Sequence, residues 1–162
     1  MARALIVGCG CRGRELAAEL ARSGWQVRGT SRRADGLEAI GAAGFEPAPA
    51  DPERPGTVLE LCGDVAAVVW LVGSATGDSE KVSTIHGPRL ERLLEKLVDS
   101  PVRGFAYEAA GSVPRETLAE GARIVQRAGH EWHIPVAVLT HGRQEPGWPE
   151  HAAAAVTGLL TG

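Results

Sequence analysis

Long apolar runs are absent from this chain of 162 residues, and lysine and cysteine are scarce. The most apolar stretch, "VAAVVWLV" from Val65 to Val72, falls far short of the ~20 residues that span a bilayer. The N-terminal apolar run from Ala2 to Val7 is brief and ends at glycines, so no secretory leader is expected. Cys9, Cys11 and Cys62 are the only cysteines, too few and too unevenly placed for a disulfide framework. These absences lead to the expectation of a soluble protein of a reducing cytoplasm, with no membrane partner. The net charge of -3 argues against a general nucleic-acid binder.

Apolar residues make up 44 % of the chain, enough for one domain over 1–162 with a sizeable core. The charge is uneven. Residues 1–33 carry seven arginines against Glu15 and Glu19, so this end is basic and the remainder acidic. A basic end on an acidic protein suggests a local anionic ligand. An arginine-biased composition, with fifteen Arg and two Lys, produces the same pattern without function.

Short apolar runs alternate with periodic segments. Strands are expected at Ala2–Val7, Trp25–Thr30, Phe45–Ala50, Val65–Val72, Val102–Tyr107 and Pro135–Leu139. Pro47 and Pro49 place the third of these at or near a sheet edge. Helices are expected at Arg14–Ser23, Leu37–Ala43, Thr57–Cys62, Ile85–Val98, Glu116–Ala128 and Glu150–Leu160, with "GSATGDSE" as a loop. This alternation calls for parallel strands, right-handed crossovers and helices on both faces. The expected fold is α/β, a doubly wound parallel sheet of six strands in the order 3-2-1-4-5-6.

Gly8, Gly10 and Gly13 fit G-x-G-x-x-G, which is weak evidence as a bare string. Here it lies directly between the first strand and the first helix, the context the motif requires. Gly8 permits the tight turn, Gly10 lets backbone approach a pyrophosphate, and Gly13 lets the helix pack closely. Cys11 and Arg12, inside the motif, join the expected phosphate-binding set, since the helix start offers free N–H groups. Cys9-x-Cys11 has a rival reading as a redox pair, but its spacing is not C-x-x-C and Cys62 is alone. Small side chains also suit a crowded phosphate loop.

An NAD site usually carries Asp or Glu about 20 residues after the glycines, where it bonds the ribose 2′-OH. No carboxylate occurs between Glu19 and Asp35; the second strand runs into "GTSRR" instead. Ser31, Arg32 and Arg33 can bond a 2′-phosphate that a carboxylate would repel, so NADP(H) is the expected cofactor. The alternative is that both arginines are solvated loop charges.

"GCGCRGRELAAELARSGWQVRGTSRR" resembles the cofactor-binding opening of the atypical or extended short-chain dehydrogenase/reductase group, relatives of nucleotide-sugar epimerases. "FEPAPADPE", "AAVVWLVG", "IHGPRLERLLEKL", "VRGFAYEAAGSV" and "RIVQRAGHEWHIPVAVLTHGR" resemble later parts of that group, covering about residues 2–143. The resemblance implies that Asp51 lies near adenine and that Leu71, Val72 and Gly73 pass along the cofactor. It also implies a Tyr-x-x-x-Lys pair with a Ser or Thr, and here the chain departs. Its only tyrosine, Tyr107, is followed four residues on by Gly111, and Lys81 and Lys96 both precede it. "EAAG" stands where the group places a serine, and Ser112 has no evident base. The chain also stops soon after the sixth strand, where such enzymes continue into a substrate-binding portion.

No catalytic or metal-binding set is therefore assigned. His130 and His133 in "GHEWH" lack partners in the sequence and suit a helix C-terminus. His86 either faces the cofactor mouth or begins a helix. His141 and Arg143 follow the sixth strand, on the side where ligands bind, and are candidates for polar groups near a substrate. Trp70 and Trp132 read as core or interface. Three functions stay open: an NADP(H)-binding protein without the catalytic pair, acting as a redox sensor or cofactor-dependent partner; an NADPH-dependent reductase whose substrate site a second subunit completes; and a partner protein that binds no nucleotide. The glycine motif with "SRR" argues against the third. A stripe of Ala152, Val156, Leu159 and Leu160 either covers the chain's own sheet or packs against a twin, and the second, a homodimer, is the expectation.

Overall fold

Strands that are covered on both faces read as near-continuous apolar runs, and the central ones here do so apart from Arg3 and Glu108 at their ends. In the computed structural model β1 (Arg3–Val7), β4 (Ala67–Trp70) and β5 (Gly104–Glu108) lie at the middle of the sheet, with β4 and β5 wholly buried. β2 (Gln26–Ser31) and β3 (Glu46–Pro49) continue it on one side and β6 (Val136–Leu139) on the other. The order is β3-β2-β1-β4-β5-β6, as the alternation of elements predicts, and every pairing is parallel. The structure describes residues 1–161; Gly162, the last residue of the expected domain, lies outside the described residues.

Alternation along the strands divides the core into two layers. Leu5, Val7, Val68, Trp70, Phe105 and Tyr107 face the layer of α3 (Pro55–Leu59), α4 (Ser79–Ile85), α5 (Pro88–Leu97) and α6 (Arg115–Trp132). Ala4, Ile6, Ala67, Val69 and Ala106 face α1 (Cys11–Arg22), α2 (Ala34–Ala42) and α7 (Trp148–Gly158). α5 buries Leu90, Leu93, Leu94 and Leu97 at helical spacing, each worth roughly 1.5–3 kcal/mol of transfer free energy.

Several elements differ from the sequence expectation. The helix expected over Ile85–Val98 starts later, as α5 at Pro88, and a separate short helix not expected from the sequence, α4, covers Ser79–Ile85. Asp78 caps α4 by accepting from the Lys81 amide at 2.8 Å, and α4 ends at His86. Gly87 leaves helical geometry, and Pro88, at the first turn of α5, cannot accept a continuing helix before it. α1 begins at Cys11 rather than Arg14, so Gly13 lies in its first turn. α6 runs on to Trp132 and stops where His133 adopts φ 55°. α7 starts at Trp148, with a proline in its first turn.

The stripe expected to meet a second copy is occupied within the chain. Ala152, Ala153, Val156 and Leu159 pack with Leu16, Leu20 and Trp25 over the chain's own sheet. Trp25 Nε1 also donates to Thr157 Oγ1 at 3.1 Å, tying α7 to the start of β2. β6, with three of its four residues only half-buried, remains the sheet's outer strand.

Candidate functional site

The turn from β1 into α1 is built as the glycine spacing requires. Gly8 has φ +85°, and a Cβ there would lie 2.5 Å from the Leu71 carbonyl oxygen. Its amide donates to Thr30 Oγ1 at 3.2 Å, and the Cys9 amide to the Thr30 carbonyl at 2.9 Å, pinning the turn to β2. Gly10 faces open space; a Cβ there would meet nothing within 4 Å. A Cβ on Gly13 would sit 3.3 Å from Cys9 Sγ, so this glycine sets how closely α1 lies on the turn. α1 has no side-chain cap and no acid in its first turn, which leaves its leading N–H groups to a ligand.

Cys9 fills the space beneath this turn, and a Cβ on Gly29 would lie 2.8 Å from its Sγ. Burial pushes its thiol up to about 11, against a smaller opposing pull from Arg14. Cys62 is likewise buried and pushed up to about 11, whereas Cys11 is exposed. All three thiols are free.

A cleft of about 330 Å³ opens over the carboxyl ends of the strands. Of the residues expected to bind cofactor, Gly8, Gly10, Ser31, Arg32, Arg33, Asp51, Leu71 and Val72 line it. Cys11, Arg12, Gly13 and Gly73 are not among the residues that line it. The Arg12 side chain turns toward α7: it pairs with Glu15, donates to the Arg143 carbonyl, and lies 6.0 Å from the centre of the Trp148 ring. The Gly73 amide is held by Glu108 Oε1 at 2.7 Å. Asp51 Oδ1 accepts from the Glu53 amide at 3.0 Å.

The arginines at the β2 end are exposed and loosely paired. Arg32 lies 3.8 Å from Glu53, and Arg33 bonds Asp35 at 3.1 Å. The Arg33 guanidinium holds the Asp35 carboxyl below the usual carboxylate range. The Arg33 amide donates to Ser31 Oγ at 3.1 Å.

Other polar candidates go elsewhere. Tyr107 is fully buried on the α6 side of the sheet, and its hydroxyl donates to His86 Nδ1 at 2.6 Å. His86 Nε2 in turn donates to the Val72 carbonyl at 2.9 Å. A Cβ on Gly121 of α6 would collide with the Tyr107 hydroxyl. Burial moves both titrations away from neutrality, raising Tyr107 and lowering His86. Trp70 is core, donating to the Ile85 carbonyl at 3.2 Å, and Trp132 is half-buried against the same core cluster. His130 and His133 are exposed at the end of α6. The Ser112 amide donates to Ser74 Oγ at 3.3 Å. His141 packs on His151, ring centres 3.8 Å apart, at the surface.

Arg143 does reach the cleft, and its partner is Glu108, which the sequence reading did not single out. A charged residue ending an apolar strand, "GFAYE", was the available signal. Arg14, one turn into α1, also lines the cleft and was not anticipated; nothing in its spacing separates it from a solvated helix charge.

No protein-family model matches the chain, and no curated protein matches it. Solved structures do. A UDP-glucuronic acid 4-epimerase from Bacillus cereus in complex with NAD superposes with a TM-score of 0.69 at 17 % identity, covering 89 % of this chain and 59 % of that one. A triphenylmethane reductase from Citrobacter sp., complexed with NADP(H), gives 0.62 at 16 % identity, over 83 % of this chain and 48 % of that one. A short-chain dehydrogenase from Streptomyces avermitilis gives 0.67 at 16 %, over 99 % and 84 %. The chain thus spans about half to three-fifths of the epimerase and the triphenylmethane reductase. Among the described residues no helix is long and apolar enough to cross a membrane. At the level of fold, this chain is built like the part of those solved structures that it covers, as its sequence resemblance implies.

Proposed function

We propose that the cleft binds a nicotinamide dinucleotide and prefers NADP(H) to NAD(H). The carrying observation is the β1–α1 turn: strained at Gly8, open at Gly10, uncapped at the start of α1, and set beside Ser31, Arg32 and Arg33. The residues fit the group. The first-turn amides and Arg14 take the pyrophosphate, Asp51 flanks the adenosine, and Ser31 with the two arginines takes the 2′-phosphate. Arg33 is engaged with Asp35, but an ion pair this exposed is weak and readily exchanged for a phosphate. The bound dinucleotide supplies a hydride donor or acceptor.

This chain's residues do not complete the proton relay of the enzymes it resembles. Tyr107 points into the core, bonded to His86, and Gly111 stands where a lysine would follow. The reading that fits is a cytoplasmic, single-domain NADP(H)-binding protein acting as a redox sensor or cofactor-dependent partner, not a dehydrogenase of that type. Calorimetric titration tests it. NADP(H) is expected to bind about tenfold or more tightly than NAD(H), and Arg32→Ala with Arg33→Ala to remove the difference. Equal affinities in the unmodified protein would refute the preference. Appreciable NADPH oxidation with aldehyde or ketone panels would favour the reductase reading.

A further inference from the structure

Glu108 ends β5 with no exposed surface, where an unpaired carboxylate is strongly disfavoured. Arg143 reaches it from the loop between β6 and α7. Arg143 Nε donates to Oε2 at 2.6 Å and Nη2 to Oε1 at 2.9 Å. Nη2 also donates to the Leu71 carbonyl at 3.0 Å, and Oε1 accepts the Gly73 amide at 2.7 Å. The remaining donor, Nη1, has no protein acceptor among the described residues and is not a buried atom. It belongs to a side chain that lines the cleft with Gly10, Leu71, Val72 and Ser74.

Ser31 and Arg32 lie at the β2 end of that cleft. The two mononucleotide halves of this fold are arranged about β1, so the far half of a dinucleotide falls over β4 to β6, beside Arg143. The chemistry of the acceptor follows from the charge of the pair. Arg143 and Glu108 together are net neutral. An anion at Nη1 would meet the guanidinium and, a few ångströms behind it, a buried carboxylate that water screens poorly. An uncharged carbonyl oxygen meets only a strong donor. The uncompensated cation of the cleft is Arg14, which has no ion-pair partner among the described residues.

We propose that Arg143, held and charge-compensated by Glu108, donates from Nη1 to the carboxamide oxygen of the bound dinucleotide and discriminates against a carboxylate there. This rests on the dinucleotide reading of the cleft. The test titrates three probes: NADP⁺, its nicotinic-acid analogue, in which a carboxylate replaces the carboxamide, and adenosine 2′,5′-bisphosphate. The unmodified protein is expected to bind NADP⁺ about tenfold more tightly than the carboxylate analogue, despite the basic cleft. Glu108→Gln, which leaves Arg143 uncompensated, is expected to close or reverse that gap while leaving the bisphosphate unchanged. The carboxylate analogue binding the unmodified protein as tightly as NADP⁺ would overturn the proposal. That comparison stands whatever Glu108→Gln does to folding. Binding of the bisphosphate with no distinction between the dinucleotides overturns this inference alone; binding of none of the three overturns the dinucleotide reading with it.

Discussion

His86 and Tyr107 make a sealed pair: one hydroxyl, one imidazole, one carbonyl, all bonded within the core. Burial favours the neutral imidazole, so the folded His86 titrates below its ordinary value of 6.5. The unfolded chain therefore takes up a proton first as pH falls. Stability from this group is full above about pH 6.5 and is lost as pH drops through the lower folded value. Urea midpoints between about pH 7.5 and pH 5 should fall on acidification, and His86→Gln should flatten that window. Tyr107→Phe strands His86 Nδ1 and should cost about 1–3 kcal/mol of stability while leaving dinucleotide affinity unchanged. A loss of affinity without a loss of stability would instead put Tyr107 in the site. At the thiols, iodoacetamide should label exposed Cys11 in the native protein and reach Cys9 and Cys62 only in denaturant, read by mass spectrometry. None of these contacts was legible in the chain. Residues 21 apart meet only because β5 and the end of α4 are brought together, and the sequence showed just a lone tyrosine without its lysine.

Among the elements, the β1–α1 turn was readable because its chemistry is local: three glycines at fixed spacing between a strand and a helix. Gly8→Ala tests it. The side chain would meet the Leu71 carbonyl in a left-handed backbone, so both folding stability and dinucleotide affinity should drop, stability by about 1–3 kcal/mol. The break between α4 and α5 was also written in the sequence, as "GP" inside an apolar period, but the leucine spacing masked it. The apolar face of α7 was visible, while its destination was not. Periodicity reports that a face is buried and says nothing of what buries it. Val156, with no exposed surface, now makes that destination testable. Val156→Glu should unfold the protein, costing about 3 kcal/mol or more, rather than release a folded monomer. Circular dichroism with light scattering separates the two results.

For the whole molecule, strand order was legible because alternating elements and right-handed crossovers leave few arrangements open. The far end of the cleft was not, since Glu108 and Arg143 lie 35 residues apart and carry no mutual signature. That separation has a consequence in time. Arg143 also bonds a carbonyl 72 residues before it. Such a clasp closes only after β4, β5 and β6 lie side by side, so we expect it to form late in folding. Arg143→Met should therefore leave the refolding limb of a chevron nearly unchanged and steepen the loss of native molecules, raising the unfolding rate by most of its equilibrium effect. On that expectation the Glu108–Arg143 pair governs how long each molecule lasts once made, and little of how quickly it is made.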